Sequence, residues 1–241
     1  MVFISAIIPA YNKEPVVELA LAEIHKELKK LEIPFEMIVV NDCSIDKTKD
    51  KIEHFCKNHS EAKLIDLSRN IGKGRAIIEG FKVSKGDLVF FMDADTDLSP
   101  LSIHTFLDYM ARFDVDVVIG SKNHPDSIVK YPLLRKFLSR CYQLFCYFLF
   151  ALPISDTQVG FKLYKRKVLD FVVPKVLVKR FAFALEMLVL AHKKGFKIKE
   201  APIELRESSF TGVKPISIFR MFVDTLAIWY RLNILNYYKM K

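Results

Sequence analysis

The chain of 241 residues is 51% hydrophobic, which suffices for one substantial core or two closely joined lobes and leaves no low-complexity stretch. Its net charge of +9 conceals a division: residues 1–120 carry a net of −5 and residues 121–241 a net of +14, so an acidic half is joined to a basic half that expects an anionic partner such as nucleic acid, a membrane surface or a phosphorylated substrate. Four cysteines without CxxC or metal spacing, no basic signal-peptide start, and a longest uncharged run of 15 residues (141–155) against the ~20 that span a bilayer point to a cytoplasmic protein with reduced thiols and no membrane crossing.

In chain order, Phe3 to Ile8 is a buried-strand signal stopped by Pro9. The loop Pro9-Ala-Tyr11-Asn12-Lys13-Glu14 opens a helix with an apolar stripe from Val16 to Leu31. A second strand, Phe35 to Val40, ends in Asn41-Asp42-Cys43-Ser44-Ile45-Asp46, and a helix follows. The third strand, Lys63 to Leu67, ends at Arg69-Asn70, and Gly72-Lys73-Gly74-Arg75 is a glycine-spaced basic turn that opens another helix. That turn is neither a Rossmann fingerprint nor a Walker A sequence, because it follows the third strand and lacks the third glycine. Strands alternating with helices in this way predict a mostly parallel α/β sheet, with the polar strand ends gathered along one rim.

The central strand, Leu88 to Met92, runs into Asp93-Ala-Asp95-Thr-Asp97. At about 4 Å and an effective dielectric of ~20, each like-charged pair in such a cluster costs roughly 4 kcal/mol. A divalent cation with all-oxygen ligands, Mg²⁺ or Mn²⁺, relieves that repulsion. The structural alternative is a solvated acidic turn, with Asp97 or Ser99 capping the helix that Pro100 begins.

A fifth strand is expected over Val115 to Ile119, and the basic half begins at Gly120-Ser121-Lys122. A long helix is expected from Lys130 to Ala151, apolar nearly all round beyond Cys141 and fit either for a core or for a membrane interface. Asp156-Thr-Gln158-Val-Gly160-Phe-Lys162 breaks that pattern and leads into a basic stretch ending at Lys167. A helix from Phe181 to Lys193 with Gly195 as cap, a strand from Phe196 to Ile203 and a loop from Arg206 to Pro215 follow. The tail, Ile216 to Tyr238, reads as an amphipathic helix. Its aromatic residues Trp229, Tyr230, Tyr237 and Tyr238 are of the kind found at membrane interfaces.

Taken together, the stretches 9–14, 40–46, 69–76 and 92–97 resemble family 2 glycosyltransferases of the GT-A fold. The stretches 120–122 and 156–162 narrow the resemblance to the dolichyl-phosphate mannosyltransferase and dolichyl-phosphate glucosyltransferase-like branch. It extends over nearly the whole chain. It implies one GT-A (Rossmann-like) catalytic domain over 1–241: a nucleotide-sugar half (1–120), an acceptor half (121–215) and an amphipathic C-terminal helix (216–241).

The resemblance also implies roles. Pro9, Tyr11, Asn12, Glu14, Asp42 and Lys73 would bind the nucleotide sugar, with Asp42 accepting a hydrogen bond from a base N–H. Asp93 would face the donor's ribose or sugar, and Asp95 and Asp97 would hold Mg²⁺ or Mn²⁺ on the diphosphate. Lys122, Arg135, Ser139, Gln158 and Lys214 would receive the phosphate of a polyprenyl or dolichyl phosphate, and Arg206 and Lys214, on the loop before the tail, would close over the phosphates. The implied reaction is metal-dependent transfer of a hexose, from UDP-glucose or GDP-mannose, with inversion. It would take place at the cytoplasmic face of an anionic membrane to which the protein is peripherally bound.

Other readings are a family 2 enzyme acting on a saccharide, a haloacid-dehalogenase-like phosphatase using Asp93-Ala-Asp95, and a nucleic-acid module. The phosphatase motif wants Thr or Val where Asp97 sits. No RRM, KH or zinc pattern supports nucleic-acid binding, so no nucleic-acid partner is expected.

Overall fold

The computed structural model describes residues 2–129, 133–179, 182–206 and 215–238. Four parallel strands build the first part of the sheet: β1 (Ile4–Ala10), β2 (Phe35–Asn41), β3 (Ala62–Asp66) and β4 (Leu88–Phe91). They are joined by α1 (Val17–Lys29), α2 (Thr48–Asn58) and α3 (Lys73–Val83), and α4 (Ser102–Arg112) leads from β4 to β5 (Val117–Ser121). Side chains alternate across the sheet. Ile4, Ala6, Ile8 and Phe90 pack with α1, α2 and α4, whereas Ile7, Val89 and Phe91 pack on the opposite face with α3 and the later helices.

The sheet is not continued by β5. A strand that the sequence reading does not assign, β7 (Lys162–Lys165), inserts antiparallel between β4 and β5, giving the order β3-β2-β1-β4-β7-β5-β8. The signal for β7 is weak because it is four residues long and both ends are lysine, one of them fully buried. The outer strand β8 (Ile198–Pro202) pairs parallel with β5, and a two-stranded ribbon joins β6 (Ile128–Val129) to β9 (Glu204–Leu205).

The remaining helices are α5 (Leu133–Phe150), α6 (Arg166–Val172), α7 (Phe183–Lys194) and α8 (Pro215–Asn233), with a 3₁₀ turn at Val173–Lys175. Gly195 ends α7 in a left-handed conformation, φ 92°. Helix α5 rests on α8 through the Tyr142 and Thr225 hydroxyls, 2.9 Å apart, and through Phe145 against Phe222. Tyr142, Cys146 and Phe150 are buried, but Leu144, Tyr147 and Phe148 on α5 and Phe219, Val223, Leu226 and Tyr230 on α8 are exposed.

The tail departs from the expected helix: α8 stops at Asn233, and Tyr238 turns back into the core. There it donates to the buried Glu186 Oε1 at 2.5 Å, so it is an anchor of the tail rather than an interfacial aromatic residue. Among the described residues no helix is long and apolar enough to cross a membrane.

Candidate active site

The rim formed by the C-terminal ends of β1, β2 and β4 holds a cleft of about 400 Å³. Each strand delivers its polar end there because the strand itself is apolar and the chain turns only on leaving the sheet. Pro9, Ala10, Tyr11 and Lys13 come from β1 and the loop after it, Asp42 from the end of β2, Asn70, Gly72 and Lys73 from the turn that opens α3, and Asp93 to Asp95 from the end of β4. The expected donor residues Pro9, Tyr11, Asp42, Lys73 and Asp93 therefore share one lining, together with Asp95.

The crowded carboxylates are compensated by lysines. Lys73 Nζ bonds Asp93 Oδ1, and Lys13 Nζ lies 2.9 Å from Asp95 Oδ2. Burial works against the charge of Asp93, yet Lys73, with Lys162 and Lys13 farther off, holds its carboxyl below the usual carboxylate range. Burial likewise opposes the charge of Lys13, but its bond to Asp95 and the charges of Asp95, Asp93 and Asp97 raise its pKa. Asp95 Oδ1 also accepts the Asp97 N–H at 3.3 Å, which folds the acidic stretch into a tight turn.

Among the described residues no group of three or more His, Cys, Asp or Glu side chains converges as a self-sufficient metal cage. Asp95 is in the cleft lining and Asp97 follows two residues on outside it, so a hard cation there would have to draw most of its oxygens from a diphosphate, as Mg²⁺ commonly does.

Several expected residues are placed otherwise. Asp42 is 3% exposed, and its two oxygens accept the Ile71 and Gly72 N–H groups at 2.7 and 2.9 Å. Gly72 meets that carboxylate with φ 91°, a conformation L side chains rarely adopt. The next amides, Gly74 and Arg75, turn to the Lys179 carbonyl at 3.1 and 3.4 Å. The amides of residues 71, 72, 74 and 75 are thus bound within the protein, and the Lys73 side chain reaches into the cleft.

Asn12 and Glu14 are not part of the lining. Asn12 (φ 50°) accepts the Ile45 N–H and Glu14 accepts the Lys47 N–H, so both fasten the β1–α1 loop to the start of α2. Neither serves as a cap of α1, which begins after Val16 without a side-chain cap bond.

On the acceptor side, Lys122 lies 3.3 Å from Asp156 Oδ2 and donates its own N–H to the same oxygen. Asp156, 1% exposed, also takes the Gln158 N–H at 3.0 Å, and Glu200 receives the Ser155 and Asp156 N–H groups. Ser139 accepts from Gln143 Nε2 at 3.0 Å, and Gln158 Nε2 donates to Thr157. The side chain of Arg135, and Lys214 altogether, lie outside the described residues.

Arg206 does not face the cleft. Its backbone N–H donates to Asp97 O at 2.8 Å, but its guanidinium bonds Glu23 Oε2 of α1 at 2.7 Å. Residues not singled out in the sequence also matter here. Lys13, within the loop 9–14, lines the cleft and pairs with Asp95. Gly160 is so close to Asp93 that a Cβ would overlap the carboxylate. Lys162 closes the stretch 156–162 but nothing local marks it as buried, and Glu23 reads as an ordinary helix charge.

The sequence profile of Glycosyl transferase family 2 matches residues 5–172. The chain belongs to this family. As a family 2 glycosyltransferase it is an enzyme, and the reading of Asp93-Ala-Asp95 as a dehalogenase-like phosphatase motif is set aside.

Similar family members include a dolichyl-phosphate beta-glucosyltransferase of Trichomonas vaginalis, 32% identical over 243 residues, covering 96% of this chain and 75% of that protein. Another, from Dictyostelium discoideum, is 29% identical over 254 residues and covers 100% of this chain and 77% of its own length. Among solved structures, glucosyl-3-phosphoglycerate synthase from Mycobacterium tuberculosis, in complex with Mn²⁺, uridine diphosphate and phosphoglyceric acid, has a TM-score of 0.71. At 17% identity over 95% of this chain and 78% of that one, the likeness is one of fold, the GT-A fold.

Proposed function

We propose that this family 2 glycosyltransferase moves glucose from UDP-glucose to a polyprenyl phosphate of the dolichyl type, with inversion at the anomeric carbon. The observation that carries this reading is the likeness, along 96% of the chain, to a relative named as a dolichyl-phosphate glucosyltransferase. The cleft supports it, because its lining supplies both cations and carboxylates at one strand-end rim.

The nucleotide sugar lies along the ends of β1, β2 and β4, with Tyr11 offering a half-exposed ring and Lys73 a cation. Asp95 and Asp97 would hold a divalent ion, which when bound would compensate the charge of the diphosphate. Lys73 and Lys13 face the same developing anion and add preorganised positive charge. An oxygen of the acceptor phosphate forms the new bond to the anomeric carbon, and the bond to the nucleotide diphosphate breaks with its electron pair. A phosphate monoester is already ionised at neutral pH, so no side chain has to remove a proton from it.

Two anions must nevertheless meet. Lys122, Arg135, Ser139, Gln158 and Lys214 are assigned to the incoming phosphate, and Arg206 to the leaving group. The apolar acceptor tail stays in a membrane on which the exposed faces of α5 and α8 rest peripherally, at its cytoplasmic side.

The test is a panel of UDP- and GDP-sugars with a short polyprenyl phosphate, with the lipid-linked product read by mass spectrometry. UDP-glucose should give the glucosyl lipid. Glycosylation of a free saccharide with no transfer to lipid phosphate from any donor would overturn the reading.

A further inference from the structure

Beneath the donor cleft lies a second, smaller cavity of about 60 Å³, lined by Lys73, Gln158, Gly160, Lys162 and the rings of Phe91 and Phe183. It shares Lys73 with the donor cleft. Lys162 is 3% exposed, yet it occupies a strand position in the middle of the sheet, opposite Phe91 on one side and Ile119 on the other. A lysine buried there without an ion pair is costly, and an apolar side chain would fill the position better. Its Nζ donates to the Val159 carbonyl. Among the described residues it forms no ion pair to a carboxylate, although Asp156 and Asp93 both act on its charge.

The surroundings explain why. Asp93 is engaged by Lys73, and Asp156 by Lys122, so each carboxylate that Lys162 senses already serves another lysine. Three lysines and two aspartates thus form a chain that runs from the donor cleft to the acceptor side, and Lys162 is the odd cation at its centre. The backbone keeps this chain tight. Gly160 lies against the Asp93 carboxylate with no room for a Cβ, and Gln158 donates its N–H to Asp156.

We propose that Lys162 is a positioning residue for the transfer: its buried ammonium fixes the Asp93 and Asp156 carboxylates between the donor and acceptor lysines and is held protonated when an anionic nucleotide-sugar diphosphate occupies the cleft. The inference rests on the assignment of the cleft to a nucleotide sugar. In the free protein, burial and then the Lys73 ammonium push the Lys162 pKa down to about 7, with Lys122 acting the same way, against the pull of Asp156 and Asp93. An arriving diphosphate draws charge from Lys73 and restores the proton to Lys162. A group poised in this way changes its charge on ligand binding, whereas a lysine with an ordinary pKa stays charged throughout.

The test is calorimetric titration of the full chain with UDP-glucose, in two buffers of different ionisation enthalpy, across the neutral pH range. UDP-glucose is a suitable probe because its diphosphate carries no group that titrates near neutrality. Proton uptake on binding is expected. If the diphosphate raises the Lys162 pKa by about one unit, affinity falls roughly fivefold from about pH 6 to about pH 8. Lys162→Arg, permanently charged, should bind with a flat pH profile, and Lys162→Gln should bind weakly with a flat profile.

Equal affinity and equal pH slope for wild type and Lys162→Gln overturn the inference. Should the variants fail to fold, binding by wild type with no proton uptake near neutrality overturns it equally. No binding of UDP-glucose by folded wild type at any pH overturns the donor assignment, and the inference with it.

Discussion

The Arg206–Glu23 bridge sets up a direct test of how the donor site closes. The two side chains are 2.7 Å apart and 39% and 30% exposed, and the Arg206 backbone N–H donates to Asp97 O. A bridge this exposed contributes on the order of 0.2–1 kcal/mol, less at high salt. If Arg206 leaves Glu23 to meet the diphosphate, removing Glu23 relieves at most that much competition. Glu23→Ala should therefore raise kcat/KM for the donor by no more than roughly fivefold. Arg206→Ala removes a cation from the developing charge and should cost roughly 10²-fold or more. Initial rates of glucosyl transfer to a short polyprenyl phosphate at low and high salt make the comparison, and the Glu23→Ala advantage should shrink as salt rises. If Glu23→Ala loses as much activity as Arg206→Ala, the bridge itself is the working arrangement and the closing motion is wrong.

Asp95→Asn should abolish most turnover and Asp97→Asn should reduce it less, because a neutral amide is a poorer ligand for a hard cation; full activity after chelator treatment would sink the metal assignment. Gly160→Ala forces the Asp93 carboxylate off its place and should lower turnover about 10²-fold while circular dichroism stays native, and near-normal turnover would show that the close approach is unimportant. Co-sedimentation with anionic vesicles should weaken with salt yet keep a residual that Phe148→Ser with Phe219→Ser removes, both side chains being exposed and outside the core. Equal recovery on neutral and anionic vesicles would remove the electrostatic part of that picture.

The parallel strands, their order of appearance and the rim of polar strand ends were legible because each strand is a nearly pure apolar run ended by a polar cluster. Other features depend on contacts that local pattern does not carry. Asp42 looks like any strand-end carboxylate, and nothing in its neighbourhood tells that it is bound by amides from residues 71 and 72. Arg206 and Glu23 are 183 residues apart, and neither position shows more than an ordinary surface charge. Lys162 ends the stretch 156–162, but its burial follows from the antiparallel direction of β7, which a four-residue segment with lysine at both ends does not announce. Tyr238 departs from the expected tail helix for a similar reason: the turn at Asn236, with φ 48°, sends it inward where a continued helix would carry it past the core.

The reversed strand also governs how the protein can be made. During synthesis β1 to β4 can pair as soon as they emerge, but β4 then presents an open edge, and β5 has neither of its partners until β7 and β8 arrive. A nascent chain stopped at residue 120 therefore carries an apolar strand edge on one piece and a stranded fifth strand on the other, both prone to pairing with foreign chains. Only when residue 165 has left the ribosome is that edge sealed, and the sealing strand brings Gly160 and Lys162 up to Asp93. Sealing of the β4 edge and delivery of Gly160 and Lys162 to Asp93 are thus one event, while the outer strand β8 joins β5 only about 35 residues later.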